Sequence, residues 1–145
     1  MSKRSVNLLR KIKGDFEVAG ANLIPKSLVL KTEALTGAGA CSTTIPVTLV
    51  DTTGGAAAIT LAAGSNAGQV KHIIMVKDGG NATLTLANAA GAADEYTFAN
   101  VGESVALLWG VDEDGAAIGW VELSRGSGAV AGATAVVGLP AASAS

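Results

Sequence analysis

A chain of 145 residues with one cysteine and one histidine has room for a single domain, and it excludes both an intrachain disulfide and a zinc site built on a cysteine cluster. Its net charge of −2 conceals two oppositely charged parts: residues 1–31 hold Lys3, Arg4, Arg10, Lys11, Lys13, Lys26 and Lys31 against Asp15 and Glu17, while the rest holds Lys71, Lys77 and Arg125 against ten carboxylates. A basic arm on an acidic body points to a protein that docks on a partner rather than to an enzyme.

The arm comes first, over residues 1–26. Val6, Leu9, Ile12 and Phe16 recur at spacings of three and four, which places them on one face of a short helix with Arg10, Lys11 and Lys13 elsewhere. Gly14 weakens that helix, and so short a stretch orders only against a partner. Asn7, Arg10 and Lys11 interrupt the apolar residues, so no secretory signal is expected. No apolar run anywhere approaches the roughly 20 residues of a membrane span.

From Ser27 the chain becomes a series of short runs rich in Val, Ile, Leu and Thr, punctuated by Gly, Asn and Asp clusters, which is the pattern of an all-β domain. Strands are predicted near 27–35, 43–50, 57–62, 69–77, 82–87, 95–99, 104–111 and 118–123, in a body covering 27–123. The turns at Asp78-Gly79-Gly80-Asn81 and Asp112-Glu113-Asp114-Gly115 read as loops between antiparallel neighbours. Ala82, Leu84 and Leu86 alternate with Thr83 and Thr85, a strand with one wet face. In contrast, 69–76 and 104–111 are apolar on both faces, which predicts a second sheet on one side and more protein or another subunit on the other. Aromatics are only 3% and much of the apolar content is alanine, so a lone copy has a thin core that association would relieve. Residues 124–145 form a small-residue tail with almost no charge, suited to lying along a neighbouring subunit or to remaining a mobile terminus. One internal echo is visible. Gly68-Gln69, Ile73-Ile74 and Asp78 recur thirty-four residues later as Gly102-Glu103, Leu107-Leu108 and Asp112, either a duplicated meander or two hairpins obeying the same rules.

The chain offers little for catalysis. His72 stands mid-strand among Val70, Ile74 and Val76, whereas a nucleophilic triad needs its histidine beside a positioned nucleophile. Asp112, Glu113 and Asp114 resemble the start of a calcium loop but lack its closing bidentate glutamate, so they read as a solvated turn. The glycine-rich Gly37 to Ser42 lacks the third glycine of a dinucleotide fingerprint. No catalytic residue, metal site or cofactor is expected.

The stretch from Ile59 to Leu123 resembles small β-domains in structural proteins of tailed phages and aquatic viruses. The residues that carry the likeness are Gly68-Gln69-Val70-Lys71-His72-Ile73-Ile74-Met75-Val76, Asp78-Gly79-Gly80-Asn81-Ala82-Thr83, Tyr96-Thr97-Phe98 and Val101-Gly102-Glu103 through Trp109. The resemblance implies a capsid decoration or cement protein or a head or tail fibre, commonly trimeric, and carries no catalytic residues with it. The leading expectation is therefore an antiparallel β-sandwich or jelly-roll-like body that decorates a capsid as a homotrimer. Its partners are the major capsid protein and itself, and its place is the virion surface after synthesis in the host cytoplasm. Lys3, Arg4, Arg10, Lys11 and Lys13 are the residues expected to dock electrostatically, with Leu9, Ile12 and Phe16 making apolar contact. A fibre or adhesion module binding a receptor or glycan through the acidic turns is the first alternative, and a nucleic-acid-associated protein using the arm on phosphate is the second. The apolar stripe favours a protein partner over nucleic acid, because phosphate binding has no use for Leu9 and Phe16. A membrane is not expected as a partner.

Overall fold

The computed structural model describes residues 27–91, 93–126 and, as a strand only, 130–133. Ten strands follow in chain order: β1 (Thr32–Thr36), β2 (Gly39–Cys41), β3 (Val47–Asp51), β4 (Ala57–Leu61), β5 (Val70–Lys77), β6 (Ala82–Leu86), β7 (Ala93–Phe98), β8 (Ser104–Val111), β9 (Ala117–Gly126) and β10 (Val130–Ala133). They form two five-stranded sheets, A in the order β1-β3-β5-β8-β9 and B in the order β10-β7-β6-β4-β2. The eight runs expected from sequence all overlap strands. The expectation missed β2, three residues in a glycine- and alanine-rich stretch, and β10, which falls in the region assigned to the tail.

The expectation of an antiparallel or jelly-roll-like sandwich is corrected here, because both sheets are mixed. β1, β3 and β5 run parallel, as do β2, β4 and β6, and only β7 to β10 join antiparallel. The reason is the path of the chain. From β1 to β6 it crosses to the opposite sheet after every strand, so neighbours within a sheet are reached by a full circuit and must point the same way. The turn at 78–81 is thus a crossing from sheet A to sheet B, not the hairpin it resembled, while that at 112–115 does join the antiparallel β8 and β9.

Three circuits make a short two-sided coil. Its second and third turns are spaced by 25 residues in both sheets, with Val47 beside His72 and Ala57 beside Ala82. The sequence carries this spacing: Gly54-Gly55-Ala56-Ala57-Ala58-Ile59-Thr60-Leu61-Ala62 is followed by Gly79-Gly80-Asn81-Ala82-Thr83-Leu84-Thr85-Leu86-Ala87. The Gly-Gly corners stack on one another. A Cβ on Gly79 would lie 2.4 Å from the carbonyl oxygen of Thr52, and one on Gly80 2.5 Å from the Ala56 nitrogen. The same corner is tied by Thr52 N to Lys77 O, Gly79 N to Thr52 Oγ1 and Ala57 N to Asn81 O. The 34-residue echo has a different meaning. β5 and β8 pair so that His72 faces Ala106, a separation of thirty-four, and the repeat therefore relates the two antiparallel strands by a local two-fold through that pair. Gly68 N bonds Trp109 O just as Gly102 N bonds Met75 O.

The core lies between the sheets. Val50, Ile73, Met75, Val105, Leu107, Trp109 and Trp120 of sheet A meet Ile59, Leu61, Ala82, Leu84, Leu86, Tyr96 and Phe98 of sheet B. Trp109 and Trp120 face each other across β8 and β9, edge to face with ring centroids 5.3 Å apart, a favoured aromatic geometry. The Trp120 indole N–H donates to the Ala62 carbonyl at 2.9 Å, and Gly64 packs so closely on the Trp109 ring that a Cβ there would fall 2.5 Å from it. Two aromatic rings thus fill volume that the alanine-rich strands leave open.

Candidate functional site

The alternation of sheet A settles which of its two apolar faces is core. Lys71, Ile73 and Met75 point inward, all fully buried, so Val70, His72, Ile74 and Val76 form the outside. Strand register then assembles an outer face. One row reads Thr32, Val47, His72, Ala106 and Ser124, the next Ala34, Leu49, Ile74, Ser104 and Gly126, and a third Val70, Leu108 and Val121. No charged side chain stands in these rows. Beyond one end Asp51 and Lys77 pair at 3.0 Å, and Ile118, half exposed, folds over Gly110. Among the described residues no element packs on this face. The outer face of sheet B differs in kind: Thr60 beside Thr85 and Thr83 beside Thr97 make it a hydroxyl surface, with an open depression beside it lined by Ala40, Thr60 and Ala87.

Where the face meets the first coil turn, an ionic cluster lies beneath it. Lys71 Nζ donates to Glu33 Oε1 at 2.9 Å and to the Ser42 and Ile45 carbonyls at 2.7 and 2.8 Å, so each ammonium proton has an acceptor. Glu33 Oε1 also accepts from Thr48 Oγ1 at 2.5 Å and from Ser42 N at 2.8 Å. Burial alone would raise the Glu33 carboxyl, but the Thr48 hydroxyl, Lys71 and the Ser42 N–H together hold it below the ordinary carboxylate value. Cys41 sits beside Thr48 in the same cluster, and burial pushes its thiol up, away from the reactive thiolate. These groups clamp β1, the 42–46 loop and β5 together.

The remaining polar positions shape turns. The Asp112 carboxylate accepts from the backbone of Asp114 and Ala116, and Asp78 from that of Gly80. Asp51 accepts from the hydroxyl and N–H of Thr53, and these bonds, with Lys77 adding to them, lower its carboxyl to about 2. Glu103 closes the turn before β8 by accepting from Asn100 Nδ2 and Ala99 N, which hold it below its usual range. Tyr96 reaches out of the core to donate to Glu122 at 2.8 Å; burial first, and that carboxylate second, push its phenol up. Among the described residues no group of three or more His, Cys, Asp and Glu side chains is placed to hold a metal ion.

The residues expected to dock on a partner, Lys3, Arg4, Leu9, Arg10, Lys11, Ile12, Lys13 and Phe16, lie outside the described residues. His72 lies mid-strand in β5 as the pattern expects, and the structure places it on the outer face, half-buried beside Val47 and Ala106. The Lys71 and Glu33 pair escaped sequence reasoning: the two are 38 positions apart, and only the coil register brings them together. In comparisons with known proteins, no family model and no curated protein matches this chain.

Proposed function

We propose that this chain is a non-enzymatic virion structural protein, a decoration or cement protein that sits on a capsid shell as a homotrimer. The observation that supports this most is the segregation of its surfaces. The basic residues gather in 1–31, whereas over 27–126 four cations stand against ten carboxylates. Of those four, Lys71 is buried, and Lys77 and Arg125 are engaged by Asp51 and Glu122. The body thus presents an acidic surface interrupted by one charge-free apolar face, and the arm carries most of the chain's basic residues.

In this reading the arm is the clamp. Lys3, Arg4, Arg10, Lys11 and Lys13 meet acidic groups of the major capsid protein, and Leu9, Ile12 and Phe16 bury against it. Twenty-six residues reach up to about 90 Å when extended, enough to engage more than one shell subunit, and several such arms on one oligomer make release slow. The test removes residues 1–20 from the full chain and compares binding to purified shells of the virus from which the gene derives. The truncated protein is expected to keep its oligomeric mass and lose shell binding. Unchanged occupancy, or binding of the body to cells or glycans in place of shells, overturns the reading.

A further inference from the structure

We infer that the outer face of sheet A is the surface through which copies of this chain associate, apolar face against apolar face. This goes beyond the proposed function, which requires self-association without saying where it occurs, and it stands on the body alone. The face is the largest uncharged apolar area that the register assembles: Leu49, Val70, His72, Ile74 and Leu108, half-buried or exposed, around Val47 and Ala106, which the sheet itself already buries. A sheet face of this composition is core material without its cover.

Charge selects the occupant. The arm carries six cations in its first 26 residues, and the three rows of the face contain no carboxylate to receive them. A surface of the same character, flat, apolar and uncharged, fits better, and a second copy supplies one. Two acidic bodies meet here at little electrostatic cost, because their carboxylates lie elsewhere. Edge-to-edge pairing is blocked instead. The edge strand β1 points Glu33 inward to Lys71, and the opposite edge, β9, carries two register shifts and an inward Glu122 bonded to Tyr96, devices that keep sheet edges from adding strands.

Size agrees. Five strands spaced by about 4.8 Å, each five to ten residues long, give a face of roughly 500 Å². A stable interface takes about 800 Å² from each partner. The shortfall is met at the margins, where Leu28 and Val29, 80% and 84% exposed, run into β1 and Ile118 stands at the other side.

The test uses the full chain and measures mass by light scattering coupled to size exclusion at micromolar concentration. The wild-type protein is expected at two or three times the single-chain 14.2 kDa. Leu108→Asp and Val70→Lys each place a charge in the face and are expected to raise the dissociation constant at least about a hundredfold, giving folded monomers. Thr85→Asp, on the outer face of sheet B, is expected to leave the mass unchanged. As a measurement that needs no destabilising charge, His72→Cys is expected to form disulfide-linked chains under mild oxidation while Thr85→Cys does not. A monomeric wild-type chain, folded face variants of unchanged mass, or cross-linking through Thr85→Cys instead overturns the inference. A dimer that the face variants dissociate supports this surface and overturns the homotrimer; an oligomer that they dissociate but that ignores shells supports this surface and overturns the capsid reading.

Discussion

Replacing Glu33 by alanine isolates the energetics of the buried cluster. Lys71 is completely buried, and its three acceptors are Glu33 and two main-chain carbonyls. Without Glu33 the ammonium keeps two neutral partners and loses the carboxylate that, among the described residues, is paired with it. Breaking a buried pair from one side costs about 3–5 kcal/mol, and the Thr48 hydroxyl and Ser42 N–H lose an acceptor as well. Glu33 is itself one-fifth exposed, so water admitted at the edge offsets part of this and places the expected loss near 3 kcal/mol. That is a large share of the roughly 5–15 kcal/mol that holds a domain folded. Denaturant unfolding followed by Trp109 and Trp120 fluorescence measures it. The double variant Glu33→Ala, Lys71→Met removes the stranded charge and is expected to recover at least half of the loss, which a double-mutant cycle quantifies. A loss below about 1 kcal/mol for Glu33→Ala, or a double variant less stable than the single, would refute the assignment of this cluster as a paired clamp.

Acid should weaken the body in a defined window. Glu33, Asp51 and Glu103 all have depressed folded-state values, so their stabilisation is complete above the unfolded carboxylate range of about 4 and is lost as pH falls through the folded values. For Asp51 that loss extends down to about 2. Melting temperature is expected to be flat from neutral pH to about 5 and to fall below about 4; a rise on acidification contradicts these assignments. Gly79→Ala is expected to destabilise by about 1–3 kcal/mol through contact with the Thr52 carbonyl, whereas Gly54→Ala, whose Cβ meets nothing within 4 Å, is expected to be close to neutral; thermal melts of the two variants decide it. Trp120→Phe loses the bond to the Ala62 carbonyl and one side of the edge-to-face contact. A loss of about 2 kcal/mol is expected in chemical denaturation.

The strands were legible because period-two alternation survives in short runs. Thr83 and Thr85 mark a wet face unambiguously, and Ala82, Leu84 and Leu86 are buried as that pattern requires. Topology was less legible. The Gly-Gly turns at 54–55 and 79–80 look like hairpin loops, since glycine serves a tight reversal and a stacked corner equally well. The 25-residue repeat that distinguishes the two is present in the sequence, in the pair of Gly-Gly runs ending in Thr-Leu-Ala, but it spans only nine residues in each copy and overlaps the 34-residue echo set by the β5 and β8 pairing. Pattern also could not say which side of β5 is core. The side holding Val70, His72, Ile74 and Val76 has no formal charge, yet it is the outer one. The side holding Lys71 is buried because Glu33, two neighbouring strands away, neutralises it. A lysine inside is visible to sequence reasoning only when its partner is near in the chain. Glycine and alanine around β2 conceal that strand for a related reason: Gly39 and Ala40 have no side chain large enough to display a period, and Cys41 alone is buried.

The most direct test of the account is light scattering of the purified full chain, alone and mixed with shells. The expected result is an oligomer in solution that transfers to shells at a fixed ratio and remains attached through washing, with the arm-deleted oligomer left behind. A chain that stays monomeric and does not associate with shells would contradict the account.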